Sequence, residues 1–462
     1  MRLTFLGHQS WFVSHGRTNL LIDPLFLSSF GNSSELQLEI WPPRHIRLEA
    51  MPKPDAVLLT HEHPDHFHPA SLRRLPRKTP MLIGPLMPEA VERRLQRDRF
   101  PVKRLELFDT IRIGELEIVA FQAGEGSDPW EARVVQPYIR PVDEEDLAVF
   151  MTVDAVLSEA FRDAVVNEVL PAPRCLVFSN NSGIRTATTP AHPSVHHFPG
   201  AAHLGTNLYG LRVLAGLLLD AATGIDAEDV VICGDGYIPD PEAGVPFTLS
   251  DHARLASVAR SLSEGDVVIH GVAPGDVLEL RSNHRSRTRR ASWIRRIAGP
   301  ATKSSPCPPM VPRPLLQPHD DAAAERRAIR RLPSLLAEPA RTILLTPTCD
   351  ELFAAAAQGN PRPLLFSFQT AHHGAVGYAF DLLTSSFEPT PGDRIDVYPF
   401  GLMMHLRDFE ALCDGLVQWW DLTAFSVFIW YGGDFAKSPF QAMAVHFADA
   451  THGLFLERLA MA

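Results

Sequence analysis

The architecture of this 462-residue chain can be predicted from one stretch, Leu58-Leu59-Thr60-His61-Glu62-His63-Pro64-Asp65-His66-Phe67-His68. Within six residues it holds four side chains that bind metals, namely His61, His63, Asp65 and His66. The apolar run 56–59 comes directly before them, so we expect them in the loop at the carboxyl end of a buried strand, where sites lie in α/β sheets. Clustered imidazoles and carboxylates of this kind indicate a metal site.

The spacing of the four side chains predicts two metal positions. In an extended segment alternate side chains share a face, so His61 and His63 can bind one cation. Pro64 turns the chain after them, which lets Asp65 and His66 reach a second cation nearby. We therefore expect a dinuclear centre.

The order H-x-H-x-D-H after an apolar strand resembles the signature of the metallo-β-lactamase superfamily. The early segments Leu3–His8 and Thr18–Pro24 are similar to the opening of its lactonase-like and phospholipase-D-like branch. This resemblance covers residues 1–298 and implies an α/β fold, an αββα sandwich with one or two metals at its sheet edge. It also implies that His8 and Asp23 support the ligand loop from behind.

The same resemblance implies further ligands from later strands. The position of the third histidine of the first metal matches Glu125, and Asp154 matches the aspartate that bridges both metals. A glutamate in place of a histidine makes the site harder and more anionic, which favours iron or manganese. The alternative that Glu125 is an ordinary loop carboxylate stays open.

The last ligand of the second metal is not defined by the sequence. In the superfamily that the chain resembles, a histidine ends the strand that matches residues 229–236, but this chain has no histidine there. Asp235 is the nearest candidate, the loop residue His203 is its rival, and an open position is the third option. Among the site residues we assign catalytic roles to Asp65 and His203, and His203 is expected to lie near the substrate.

Two enzymatic functions are consistent with such a centre. Two metals activate water for attack on an ester, lactone or phosphodiester, which would make the chain a hydrolase. The glutamate in the third-histidine position instead resembles the diiron β-hydroxylase of chloramphenicol biosynthesis and favours a diiron O2-activating oxygenase of a biosynthetic pathway. A third hypothesis is a catalytically inactive metal-binding domain that recruits a partner.

The oxygenase hypothesis also specifies cofactors and partners. It requires two metal ions, with iron favoured and zinc or manganese as alternatives. No cysteine pattern for an iron–sulfur cluster is present, so electrons would come from a donor protein or from the substrate.

The last third of the chain carries no motif. Residues 299–318 form a Pro-rich linker, and residues 319–462 are predicted to form a smaller α+β domain of unknown role. Its aromatic pairs Trp419-Trp420 and Trp430-Tyr431 are expected in core packing or in a subunit contact. A homodimer through this domain is therefore a hypothesis.

Composition restricts the class of protein. With 45% hydrophobic residues and a net charge of −11, the chain should be globular and should bind a small-molecule substrate rather than nucleic acid. The basic run 285–296 is expected to be a solvated face or helix. Five scattered cysteines suggest a reducing compartment, and no signal peptide or 18-residue apolar run is evident, so a cytoplasmic location without membrane contact is expected.

Overall fold

The chain forms two compact units. The first consists of Met1–Asn32, Gln37–Ile184 and Thr206–Ser304, and the second of Ser33–Leu36, Arg185–Gly205 and Ser305–Ala462. The computed structural model describes residues 1–31, 37–127, 131–179, 195–197, 208–234, 237–238, 252–263, 265–282, 284–298, 312, 314–343, 350–423, 426–431 and 448–461.

The secondary structure is numbered in chain order. The strands are β1 (Arg2–Gly7), β2 (Ser10–His15), β3 (Thr18–Ile22), β4 (Ser29–Phe30), β5 (Leu38–Ile40), β6 (Arg44–Ile46), β7 (Ala56–Leu59), β8 (Met81–Ile83), β9 (Val102–Arg104), β10 (Thr110–Ile113), β11 (Leu116–Gln122), β12 (Val135–Pro141), β13 (Val149–Met151), β14 (Cys175–Ser179), β15 (Val195–His197), β16 (Asp229–Cys233), β17 (Tyr237–Ile238), β18 (Val268–Gly271), β19 (Asp276–Arg281), β20 (His284–Arg290), β21 (Ile294–Arg296), β22 (Leu364–Gln369), β23 (Ala375–Asp381), β24 (Ser386–Pro391), β25 (Phe400–His405) and β26 (Val427–Tyr431). The helices are α1 (Pro69–Leu72), α2 (Glu89–Arg97), α3 (Glu159–Val166), α4 (Leu208–Gly224), α5 (His252–Leu262), α6 (Ala322–Leu335), α7 (Ala337–Ile343), α8 (Asp350–Ala357), α9 (Leu406–Cys413), α10 (Trp419–Thr423) and α11 (Ala448–Met461).

The first unit contains two large sheets. One has the order β20-β19-β1-β2-β3-β7-β8-β9 and the other the order β10-β11-β12-β13-β14-β16-β18. Side chains alternate along β11, as the period of two in a strand requires. Leu116, Ile118 and Ala120 pack in the core shared with residues of the other sheet, whereas Val119 and Phe121 pack in a cluster that includes α3, α4 and α5. The predicted α/β fold class is thus confirmed.

Strand direction brings separate loops to one place. The strands β1, β3 and β7 run the same way, because β2 is antiparallel to β1 and β3, and β7 is parallel to β3. Their carboxyl ends therefore share one sheet edge, and they are followed by His8, Asp23 and the loop 60–68. In the other sheet β13 and β14 are parallel, and Asp154 comes shortly after β13.

The basic run forms a strand instead of a helix. β20 is an edge strand that pairs antiparallel with β19, and its arginines are exposed. The expectation of a solvated surface therefore fits, but the helical alternative is wrong. Pairing with β19 decides the conformation here, since strand formation depends strongly on tertiary context.

The second unit is built on a mixed sheet of order β15-β26-β25-β22-β23-β24. Its edge strand β15 comes from well upstream of the predicted boundary. At the other end, the backbone N–H groups of Leu315 and Leu316 donate to the carboxylate of Asp408 on α9 at 2.9 and 2.8 Å. The last residues of the predicted linker therefore pack as part of this unit.

Local sequence preference does not decide three segments of this unit. Pro333 lies inside α6, close to its end, although proline usually ends a helix. Thr342 is β-branched, which favours strands, but it belongs to α7, and residues 395–397 form a short 3-10 turn before β25. Intrinsic strand propensities of residues differ by only about 1 kcal/mol, so packing against the sheet decides the conformation at such positions.

Two further observations concern the tryptophans and membrane contact. Trp419 and Trp430 are buried, and the Trp430 indole N–H donates to the carbonyl of Tyr398 at 2.9 Å, so core packing accounts for both. None of the helices that the structure describes combines the length and the apolar composition needed to cross a bilayer.

Candidate metal centre

The loop that follows β7 gathers its histidines into one buried group. The rings of His61 and His63 lie 4.5 Å apart and those of His61 and His66 lie 3.9 Å apart, measured between ring centroids. All three side chains are buried, and Asp65 lies beside His66 with a carboxylate oxygen 3.4 Å from Nε2 of that ring. The four ligands predicted from the loop are thus within reach of one another.

A carboxylate from another loop completes the first group. Oε2 of Glu131 lies 3.7 Å from Nε2 of His61 and 3.7 Å from Nδ1 of His63. These three side chains form one of the groups whose ligand atoms are close enough to hold an ion. Glu131 precedes β12, and the N–H of Val135 at the start of that strand donates to the carbonyl of Thr60 at 3.1 Å.

The structure does not bring Glu125 to this group, which corrects the sequence-based assignment. Glu125 is exposed, and its backbone N–H donates to the carboxylate of Glu159 at 2.9 Å. The preceding Gly124 lies against the backbone of residues 156–157, so the turn that follows β11 is tied to a different segment. Both glutamates occupy the same interstrand loop, and only its conformation determines which one meets the histidines.

Asp154 faces both parts of the loop. Its Oδ2 lies 2.8 Å from Nε2 of His66 and 3.9 Å from Nε2 of His61. Its other oxygen, Oδ1, accepts hydrogen bonds from Nε2 of Gln9 at 2.5 Å and from Oγ of Ser179 at 3.3 Å. One oxygen is therefore fixed by the protein while the other is directed at the histidines. Sequence analysis did not identify Gln9, and no motif signals it.

Asp23 supports the loop from behind. Nδ1 of His66 lies 2.7 Å from Oδ2 of Asp23, and the N–H and hydroxyl of Thr60 donate to the same carboxylate at 2.9 and 2.6 Å. A carboxylate at Nδ1 fixes the ring so that Nε2 points to the ligand side. This matches the supporting position expected for Asp23.

Electrostatics in the group are dominated by burial and by its carboxylates. Burial, reinforced by the charges of His66 and His63, holds the pKa of His61 well below its usual range. Burial alone would lower the pKa of His66, but Asp65, Asp154 and Asp23 raise that pKa well above its usual value. These carboxylates thus favour a positive charge beside His66, and a metal ion would supply it.

The donor set fits two divalent ions. Nε2 of His61 is buried and makes no hydrogen bond with the described residues, although two carboxylate oxygens lie 3.7 and 3.9 Å away. Such spacings are too long for hydrogen bonds but suit ligands of one ion, because metal–ligand bonds of about 2.0–2.2 Å separate neighbouring ligands by about 3–4 Å. Four carboxylates surround the histidines, so two divalent cations would neutralise them. The carboxylates are Asp23, Asp65, Glu131 and Asp154.

Two predicted site residues cannot be placed in this arrangement. Asp235 and His203 lie outside the described residues. Their assignment as the last ligand of the second metal, and the catalytic role of His203, stay predictions.

The comparison with protein families agrees with this architecture. Residues 18–154 match the family model described as a beta-lactamase superfamily domain. The match runs from β3 through the histidine loop to Asp154. It thus covers the ends of β7 and β13, which the histidine loop and Asp154 follow. The first unit has the metallo-β-lactamase fold. The candidate site takes side chains that follow β7 and β13, one strand from each of the two large sheets.

Individual proteins with related sequences or folds have different activities. A metal-dependent hydrolase from Nitratidesulfovibrio vulgaris is 42% identical over 65 residues, which are 14% of this chain and 22% of that protein. The chain therefore aligns with about a fifth of the length of this curated relative. Among solved structures, an isothiocyanate hydrolase from Delia radicum gut bacteria is 16% identical with a TM-score of 0.40, covering 61% of this chain and 99% of that one. CmlA, a diiron β-hydroxylase from Streptomyces venezuelae, is 18% identical with a TM-score of 0.39, covering 63% of this chain and 54% of that one.

Proposed function

We propose that the chain is a dinuclear metal-dependent hydrolase that acts on an ester, lactone or phosphodiester of small size. The observation that carries the proposal is the position of Oδ2 of Asp154, which lies near both His66 and His61. Asp154 would thereby help to hold the metal ions together with both histidines. The name of the curated relative, a metal-dependent hydrolase, supports the same reading.

The residues divide into two ligand sets. His61, His63 and Glu131 would hold one ion, while Asp65 and His66 would hold the second, with Asp154 between them. Two metal ions at such a site lower the pKa of a coordinated water and polarise the electrophile. The chain supplies the orientation: Gln9 holds Asp154, and Asp23 holds His66.

Asp65 is a carboxylate of the group that a water molecule can reach. Burial alone would raise the pKa of Asp65, but His66 and His8 hold that pKa well below its usual range, so Asp65 is a carboxylate at neutral pH. Its side chain also keeps 15% of its surface exposed, unlike that of His66. Asp65 can therefore accept a hydrogen bond from a water molecule that enters the centre.

Oxygen activation is the second candidate, and Glu131 is the observation that favours it. Two histidines and one carboxylate with open positions are the ligand set typical of non-haem iron sites that activate oxygen. His61, His63 and Glu131 would provide that set, with Glu131 in the role that the sequence suggests for Glu125. We rank this function second because oxygen activation also needs electrons from a donor, whereas hydrolysis consumes only water.

Metal analysis and turnover under defined atmospheres distinguish the two functions. The freshly purified protein would be analysed for metals and then tested anaerobically, with zinc, manganese or iron, on generic esters, lactones and phosphodiesters. Anaerobic turnover that is absent from the His63→Ala variant supports the hydrolase. Two irons per chain, an iron absorption band and substrate-dependent oxygen consumption, without anaerobic turnover, would reject it in favour of the oxygenase.

A further inference from the structure

The turn between β1 and β2 places a buried histidine beside the second ligand set. His8 is fully buried and adopts a left-handed backbone conformation with φ 54°. Its ring stacks on Phe30, with centroids 5.4 Å apart and planes inclined by 16°. Its carbonyl accepts a hydrogen bond from the N–H of Gly234 at the end of β16. A strained backbone held from several sides is typical of functional positions.

The ring nitrogen of His8 points at the same oxygen as His66. Nε2 of His8 lies 2.7 Å from Oδ2 of Asp65, and Nε2 of His66 lies 3.4 Å from that oxygen. Nε2 of His66 is in turn 2.8 Å from Oδ2 of Asp154. His8, Asp65 and His66 form one of the groups whose ligand atoms all lie within 4.8 Å of one another.

The number of ligands that a metal site needs can be compared with the side chains available here. Protein metal sites of this type offer at least three side-chain ligands and usually four donors in all. Asp65, His66 and Asp154 supply three of them, each from the edge where strands end. His8 Nε2 reaches this set from a third loop.

We propose that His8 is a direct ligand of the second metal ion, in addition to Asp65, His66 and Asp154. The proposal rests on the dinuclear centre proposed above and corrects the supporting role that the sequence suggested for His8. The 2.7 Å contact between Nε2 of His8 and Oδ2 of Asp65 is a hydrogen bond in this structure, and an ion held by both side chains would take its place.

The rival role is a purely positional one, in which His8 only holds Asp65 by a hydrogen bond. The variant His8→Gln separates the two roles, because the glutamine amide can still donate to Asp65 but carries no imidazole. A matched control is His270→Gln. His270 makes the same kind of contact, 2.7 Å from Oδ1 of Asp229, in a pair outside the metal-ligand groups of the described residues.

Cobalt(II) loading followed by proton NMR counts the coordinated imidazoles. Each histidine on cobalt gives a strongly shifted ring N–H resonance, and these resonances would be recorded together with the number of cobalt ions per chain. In His8→Gln we expect one fewer shifted resonance than in the wild type and at least about ten-fold weaker binding of one of the two ions. His270→Gln should match the wild type.

The outcomes separate this proposal from the proposed function. An unchanged set of shifted resonances and unchanged affinity in His8→Gln overturn the ligand role while the centre stands. A wild-type protein that binds no cobalt overturns both. If His8→Gln does not fold, His203→Gln carries the test: four shifted resonances in that variant support ligation by His8 together with His61, His63 and His66, and three overturn it.

Discussion

Two glutamates in the loop between β11 and β12 differ in what surrounds their carboxylates. Oε2 of Glu131 lies 3.7 Å from the nearest ring nitrogens of His61 and His63. Glu125 is exposed instead, and its backbone N–H donates to the carboxylate of Glu159. Only the first can therefore contribute to a metal site with the histidines. The pair provides its own control, since both are glutamates in one loop.

We predict that Glu131→Ala lowers the metal content after dialysis from two ions to about one per chain, because the first ligand set loses its carboxylate. Glu125→Ala should keep both ions. Elemental analysis of the two dialysed variants checks this. If both dialysed variants keep two ions, neither glutamate is a metal ligand. If Glu125→Ala loses an ion and Glu131→Ala does not, the ligand is Glu125, as the sequence suggested.

At the level of elements, one ion pair connects the loop that carries Glu131 to the histidine loop. Nε and Nη2 of Arg133 contact Oε1 of Glu62 at 2.6 and 2.5 Å, and the Glu62 side chain is fully buried. Glu62 lies between His61 and His63 in sequence. With the backbone bond from Val135 to Thr60, this ion pair fixes the distance between Glu131 and the two histidines.

We predict that Arg133→Met weakens binding of the first ion by about 10–100-fold, the usual effect of removing a group that orients a ligand. The control is Arg140→Met on β12, whose arginine is similarly exposed and pairs with Glu117 at 2.9 Å. Competition with a chromophoric chelator measures both affinities. If both variants lose affinity equally, the effect comes from general destabilisation and the connection has no specific role.

On the scale of the whole molecule, Asp229 ties the two large sheets together. Its Oδ1 lies 2.7 Å from Nε2 of His270 and accepts a hydrogen bond from Oγ of Ser286 at 2.5 Å, and its Oδ2 lies 3.1 Å from Nε of Arg174. Ser286 is on β20 of one sheet, while Asp229 and His270 belong to the other. Burial alone would raise the pKa of Asp229, but the hydrogen bonds from His270 and Ser286 hold that pKa below its usual value.

The lowered pKa of Asp229 predicts how this carboxylate contributes to stability as the pH changes. Because the folded-state pKa is lowered, the contribution is fully present above the unfolded-state pKa of about 3.9 and is lost as the pH falls through the folded-state value. We expect Asp229→Asn to be about 1.5–3 kcal/mol less stable than the wild type at pH 7 and pH 5. The difference should shrink at pH 3.

Urea unfolding at the three pH values measures this difference. Asp143→Asn is the control, because Asp143 pairs with His15 at 2.8 Å but is largely exposed, and its loss should leave the urea midpoint nearly unchanged. A constant difference in the free energy of unfolding between wild type and Asp229→Asn down to pH 3 would show that the carboxylate charge does not stabilise this contact between the sheets.

Prediction from sequence succeeded where one short segment carries the whole signal. The loop after β7 contains its candidate ligands in order, and the strand before it is apolar, so spacing alone places His61, His63, Asp65 and His66 together. Asp154 could be added because it follows an apolar strand that resembles a known pattern. Glu131, Gln9 and Arg133 have no such signal, since each reaches the site through the conformation of a loop or turn.

The sequence by itself determined the class of fold, the sheet edge that carries the histidine loop and the clustering of its four candidate ligands, because strand periodicity and local spacing act over a few residues. Only the tertiary structure decided that Glu131 rather than Glu125 meets the histidines, that His8 joins Asp65, and that β20 is a strand. These outcomes depend on contacts between residues far apart in the chain, such as the 2.7 Å approach of His8 to Asp65 across 57 positions. Such contacts are fixed by the packing of the two sheets and leave no periodic trace in the sequence.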